Sequence, residues 1–194
     1  MSVPVLFDAN VWYSRTLTDW CFLLFLASDE GGAPLFFPAW TEDIIAEAQY
    51  HLRRNKPHAP EAAISKRFKR IRGALADWEI FDFEVSNYGY ADVHDHHVLS
   101  AAVAGNVRYI VTSDRGLADY IGSHQFPFDA LTPDDFFCHI FEASPGLCKR
   151  VAQENESYWR NVKGVNVVDR PITAVMLEHS DCPNFATAVD SVLR

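Results

Sequence analysis

Residues 95–114 read D-H-H-V-L-S-A-A-V-A-G-N-V-R-Y-I-V-T-S-D. After His96 and His97 the side chains are apolar or small, Ala101, Ala102 and Ala104 among them, and Gly105 supplies a stop, so this half predicts a helix. Tyr109-Ile110-Val111-Thr112 is aromatic and β-branched, the composition of a short strand. Asp114 then opens a short helix to about Ile121, ended by Gly122. The chain on either side repeats this alternation. Val3 to Phe7 is an apolar run that reads as a buried strand ending at Asp8. About Leu17 to Ser28 reads as a helix stopped by Gly31-Gly32, and Leu35 to Pro38 as a short extended piece. Thr41 caps a helix that carries Glu42 and Asp43 in its first turn, where the dipole favours acids. Ile44, Ile45, Ala48 and Leu52 form its apolar face. Pro57 and Pro60 break it, and another helix runs to about Ala76. Trp78 to Phe83 alternates apolar and acidic residues and predicts a strand with one exposed face. Phe128 to Leu131 is a candidate last strand, followed by the helix start Thr132-Pro133-Asp134-Asp135. Strands alternating with helices imply an α/β fold around a mostly parallel sheet. After Ser144-Pro145-Gly146 the strand pattern stops, and two or three helices are expected to Arg194. The expected organisation is an α/β domain over residues 1–142 and a C-terminal helical extension over 143–194.

The 194 residues are 48% hydrophobic and 22% charged, which suits a globular chain and excludes a disordered acidic one. The longest apolar run, Trp20 to Ala27, is far shorter than the roughly 20 residues of a membrane helix. Met1-Ser2-Val3-Pro4 carries no Lys or Arg and does not resemble a targeting segment. A soluble, cytoplasmic protein is expected, with no membrane partner. Cys21, Cys138, Cys148 and Cys182 form no Cys-x-x-Cys pair and read as reduced thiols. The net charge of −9 would argue against nucleic acid if it were uniform. It is not. Arg53, Arg54, Lys56, Lys66, Arg67, Lys69, Arg70 and Arg72 face only Glu61 within their segment, which is +7 against −16 for the remainder. Lys66, Lys69 and Arg70 fall at helical spacing, so one helix could present a basic stripe to phosphates. A charge run is also the ordinary make-up of a solvated helix face.

In parallel α/β sheets, ligands gather outside the carboxyl ends of the strands. Asp8 ends the first strand, Asp114 follows Thr112 by two, and Asp95 opens the helix leading to the Tyr109 strand. Glu47 borders the apolar face of its helix. A lone Asp at a strand end or helix start is commonly a cap. Four acids spread over these positions are harder to explain so. Converging carboxylates need a balancing cation, and their hard oxygens suit Mg²⁺ or Mn²⁺ better than zinc.

Four segments in order resemble the PIN-domain family, which includes the VapC-type toxin ribonucleases. Val5-Leu6-Phe7-Asp8-Ala9-Asn10 resembles its opening strand with a terminal Asp. Ile44 to Leu52, with Glu47, is similar to its helix with a single acid. Asp92 to Ala102 resembles its Asp-x-x-Asp helix entry, and Tyr109 to Leu117 its strand ending in Thr-x-Asp. The resemblance implies a PIN-like α/β/α sandwich and a divalent-metal-dependent endoribonuclease. Its catalytic, metal-binding acids would be Asp8, Glu47, Asp95 and Asp114, with Asn10 and Thr112 as supporting polar groups. Asp92 either joins the site or orients the turn before the Asp95 helix. Glu42 and Asp43 are alternatives to Glu47, though their first-turn position favours a dipole role. Metal-activated hydroxide would attack the phosphate in line, leaving a 5′-phosphate and a 3′-hydroxyl. Arg53, Arg54, Lys66, Lys69, Arg70 and Arg115 are the candidate RNA contacts. The resemblance further implies a type II toxin–antitoxin role, with a small cognate antitoxin as partner, and homodimerisation. Trp12-Tyr13, the Trp20 to Ala27 helix and Phe36 to Trp40 could supply a docking groove or simply core.

Other readings of these residues are weaker. His94, His96 and His97 suggest zinc, but adjacent helical residues point apart and no fourth ligand at zinc spacing is evident. One of them could instead face the acidic pocket as a substrate contact or proton donor. An aspartate phosphatase would need a second Asp where Asn10 stands, and no Gly-rich phosphate loop occurs. A non-catalytic PIN-like binding module, or a processing or DNA nuclease that is not a toxin, remain alternatives.

Overall fold

The computed structural model describes residues 2–30, 32–165 and 169–194. The apolar run Val3–Phe7 forms β1, and its last three residues are fully buried. It is followed by a short helix α1 (Ala9–Tyr13) and by α2 (Arg15–Asp29), capped by the Ser14 side chain. Then come β2 (Phe36–Ala39) and α3 (Glu42–Asn55), where Thr41 Oγ1 accepts the Ile44 N–H at 3.2 Å. Helix α4 spans Glu61–Ala74, α5 His96–Ala104, β3 Tyr109–Val111, α6 Arg115–Ser123 and β4 Asp129–Leu131. The chain finishes with α7 (Pro133–Ala143), α8 (Pro145–Ser157), a π-helical turn at Tyr158–Val162, α9 (Ile172–Glu178) and α10 (Pro183–Leu193). The sheet order is β2-β1-β3-β4, and β1 runs parallel to both β2 and β3. The α/β/α class expected from the sequence is therefore the one found, with additional C-terminal helices.

The apolar face expected for α3 is the buried one, since Ile44, Ile45, Ala48 and Leu52 all leave solvent. Two expectations need correction. Trp78 to Phe83 is not a strand. Ala76–Trp78 is a 3-10 turn, and pairing stops at a single bridge between Trp40 and Glu79. Asp82 then takes a positive φ of 58° and Phe81 is 73% exposed, so alternation here has no sheet face to serve. Gly122 does not end α6, which continues to Ser123. Gly31, half of the expected stop after α2, lies outside the described residues. The aromatics considered for docking are largely core: Trp12, Trp20, Phe36 and Trp40 are buried.

Compactness divides the residues into two units. One comprises residues 2–13 and 36–130 and holds β1, β2, β3, α1 and α3 to α6. Phe7 packs on Trp12 and Phe36 in its core. The other comprises residues 14–35 and 131–194 and is helical. Its core places Phe185 against Trp20 and Phe137. Two carboxylates distant in sequence cap helices in this unit. Asp134 accepts from Asn184 N and Phe185 N at the start of α10. Glu156 accepts from Ile172 N and Thr173 N at the start of α9. Burial opposes ionisation of Glu156, but those bonds and Arg160 outweigh it and hold its carboxyl below the ordinary value.

Candidate active site

The parallel pairing of β1 with β3 sets their carboxyl ends side by side, and Asp8 N donates to Val111 O across them at 3.0 Å. Asp8 is buried. Its Oδ1 accepts the Ala9 N–H at 2.6 Å, and its Oδ2 accepts Asn10 Nδ2 and Thr112 Oγ1, each at 2.6 Å. Thr112 Oγ1 in turn accepts the Asp114 N–H at 2.9 Å, and Asn10 Oδ1 the Ser113 N–H at 3.1 Å. Asn10 and Thr112 thus tie the two strand ends together and fix the Asp8 carboxyl. Burial raises its pKa, the Thr112 and Ala9 bonds pull it back, and the Glu47 charge raises it again.

Asp95 ends the 3-10 turn Val93–Asp95 that leads into α5, and no side-chain cap bond engages it. Burial, and then the charges of Asp8, Asp92, Asp114 and Glu47, push its carboxyl up to about 7. Asp114 is the N-cap of α6, its Oδ1 accepting the Leu117 N–H at 2.9 Å. Glu47, half-buried on α3, lies 3.4 Å from His51 Nε2 and 3.7 Å from His97 Nε2. Asp8, Glu47, Asp95 and Asp114 line one recess of about 270 Å³, together with Asn10, Tyr13, His51 and Asn55. His51 and Asn55 follow Glu47 by four and eight residues on α3. Neither stood among the residues expected for the site, although their helical period with Glu47 is the signal in the sequence that marks them.

Asp92 does not line this recess. It caps the turn, accepting the His94 N–H at 2.9 Å, which matches the orienting alternative. Glu42 is paired with Arg72, and neither it nor Asp43 reaches the recess. His96 is buried with Nε2 on the Tyr90 carbonyl. In the basic segment, Arg53 pairs with Glu61, and Arg67 donates to the Trp12 carbonyl. Lys66, Lys69 and Arg70 are exposed along α4, and Arg115 is exposed at the start of α6.

As placed, no three His, Cys, Asp or Glu side chains among the described residues stand together as an ion's ligands. Four like charges without a counter-ion repel, and that crowding adds to burial in raising the Asp95 carboxyl. The donors are carboxylate oxygens, several with free lone pairs, and their chemistry fits a hard divalent cation. Among the described residues no helix is long and apolar enough to cross a membrane.

The chain matches the PIN domain over residues 4–116, more than half its length. No curated protein and no solved structure matches it. PIN domains are generally metal-dependent nucleases and typically use Mg²⁺ or Mn²⁺. The matched span contains both strand ends, the α3 acid, the Asp95 turn and Asp114, so the chain belongs to the PIN-domain family.

Proposed function

We propose that this protein is a divalent-metal-dependent endoribonuclease that serves as the toxin of a type II toxin–antitoxin pair. The observation that carries the nuclease reading is the meeting of Asp8, Glu47, Asp95 and Asp114, from four separate stretches of chain, in one recess. These four would hold Mg²⁺ or Mn²⁺. When bound, the ion supplies Lewis-acid activation of water and neutralises charge on the phosphate. Asn10 and Thr112 keep Asp8 aimed by hydrogen bonds at 2.6 Å. Arg115 stands one residue from Asp114 and is exposed at the start of α6, where it would contact a phosphate flanking the cleaved bond. Lys66, Lys69 and Arg70, with Arg54, offer backbone contacts on α3 and α4, which pack on each other. Arg53 can join them only by exchanging Glu61 for a phosphate. The toxin role, with a small antitoxin and a homodimer, is supported by motif resemblance alone.

The test is cleavage of single-stranded RNA by purified protein. Mg²⁺ or Mn²⁺ should support it, and chelator, Asp8→Asn or Asp95→Asn should abolish it. Full activity in Asp95→Asn, or cleavage in chelator, would refute the assignment. Expression should also arrest growth, with relief by a small neighbouring reading frame. Intact cleavage without growth arrest would point to RNA processing instead.

A further inference from the structure

His97 lies in the first turn of α5, two residues after Asp95, and the roles assigned above leave it unused. Its Nδ1 is 2.6 Å from the His94 carbonyl oxygen. A carbonyl oxygen can only accept, so Nδ1 carries the proton, and in the neutral ring Nε2 keeps a free lone pair. Nε2 is shielded from solvent and finds no hydrogen-bond partner among the described residues. It faces Glu47 Oε2 at 3.7 Å. A desolvated lone pair facing a half-buried carboxylate oxygen is unfavourable unless something positive stands between them.

Two ligands on one ion, each at about 2.1 Å, stand ~3.0 Å apart at a right angle and ~3.4 Å apart at the tetrahedral angle. The 3.7 Å separation would therefore need to close by roughly 0.3 Å for tetrahedral and roughly 0.7 Å for octahedral geometry, which is within reach of a change of side-chain torsion. A metal-binding histidine usually gives its other ring N–H to a carbonyl or carboxylate, which fixes the tautomer and the ring plane. His94 O already performs that task for His97. His97 is not itself part of the recess wall, but the Glu47 carboxylate that its Nε2 faces is.

We infer that His97 Nε2 is a nitrogen ligand, alongside Glu47, for the divalent ion held by this recess. The inference rests on the metal-dependent reading above and deepens it, because one imidazole among carboxylates sets the ion preference. Mg²⁺ favours oxygen ligands and retained water, whereas Mn²⁺ and later first-row ions accept imidazole readily. The site should therefore bind Mn²⁺ more tightly than Mg²⁺, by a margin that His97 supplies.

Mn²⁺ titrated into the full-length protein, followed by electron paramagnetic resonance, reads occupancy. Electron spin-echo modulation from ¹⁴N reads the ligand itself, without reference to activity. The bound Mn²⁺ should show directly coordinated nitrogen. His97→Gln should lose that signal and about tenfold or more of Mn²⁺ affinity, while changing Mg²⁺ affinity less than threefold. His51→Gln should keep the signal. If His97→Gln does not fold, the wild-type spectrum decides alone. Bound Mn²⁺ without nitrogen modulation, as an imidazolium paired with Glu47 would give, overturns the inference and leaves the nuclease reading standing. Modulation that survives His97→Gln but vanishes in His51→Gln also overturns it. Failure of Mn²⁺ to bind at all overturns the metal-dependent reading, and His97 with it.

Discussion

Replacing Asp95 by asparagine removes the charge under the greatest electrostatic pressure in the recess, and should stabilise the protein while abolishing cleavage. Burial and four neighbouring acids lift the Asp95 carboxyl from 3.8 to about 7. The folded state thus binds a proton that the unfolded chain has released over the interval between those values. Stability must fall as pH rises through that interval, and the full penalty is present above about pH 7. A lift of about three pH units, at ~1.36 kcal/mol each, corresponds to roughly 4 kcal/mol. Asp95 is only partly buried, and solvent screening reduces this to on the order of 2 kcal/mol. No capping bond is lost, because the Asp95 side chain makes none. Urea or thermal unfolding in chelator should therefore place Asp95→Asn above wild type by roughly 2 kcal/mol at pH 8, or about 4–8 °C for a chain of this length. At pH 5 the advantage should shrink to about 1 kcal/mol or less, since wild-type Asp95 is then largely protonated in the fold. A variant no more stable than wild type at pH 8, or equally advantaged at both pH values, would refute the charge-crowding argument.

Thr112→Val should cost about 2–3 kcal/mol by denaturant unfolding, because Asp8 loses a donor and the Asp114 N–H loses its acceptor. It should also move the pH dependence of Mn²⁺ binding upward, since the Thr112 bond lowers the Asp8 carboxyl, and Thr112→Ser should restore both. Glu156→Gln should cost about 2–4 kcal/mol through the lost charge-assisted bonds to the start of α9. Its carboxyl is held below 4.5, so the benefit is present above that pH, and unfolding curves of variant and wild type should converge in acid. Reversing Lys66, Lys69 and Arg70 to glutamate should weaken RNA binding in a filter assay and flatten its dependence on salt. An unchanged salt slope would assign that stripe to solvation alone.

What was legible in the sequence was what is local. Thr41 and Thr132 announce their helices because a cap acts within three residues. The spacing of Ile44, Ile45, Ala48 and Leu52 shows the buried face of α3 because helical period is local too. The Asp8 strand end and the Thr-x-Asp segment were legible for the same reason, and they delimit the recess. Trp78 to Phe83 misled because alternation shows that a strand could form, whereas a strand exists only where a partner edge is free to pair. Helix α1 was invisible for another reason. It is a five-residue turn nucleated by Asp8, whose carbonyl takes the Val11 N–H and whose Oδ1 takes the Ala9 N–H, and no run of residues signals that. The caps by Asp134 and Glu156 act across 50 and 16 residues, beyond any local pattern. The same holds for the grouping of residues 14–35 with 131–194.

The recess treats its acids unequally, and that inequality bears on function. Asp8 is held by three donors at 2.6 Å, which fix its position and offset part of the penalty that burial places on its charge. Asp95 lacks such a cap and carries the repulsion. An ion arriving in the recess would therefore find Asp8 already placed and would relieve the raised carboxyls of both Asp8 and Asp95. A species that binds only the folded state stabilises it by mass action. It does so most where the unbound fold is most strained, which is above pH 7. The negative net charge of the chain, which first argued against nucleic acid, includes the four acids of the recess among its 26. Part of it is anionic strain held at the point where a phosphate must come, and a divalent cation reverses its sign locally. If the proposed function holds, the basic residues of α4 would draw RNA towards a recess that repels it without the ion. With the ion, attraction would be continuous from helix to recess, so metal should govern productive RNA placement as well as chemistry.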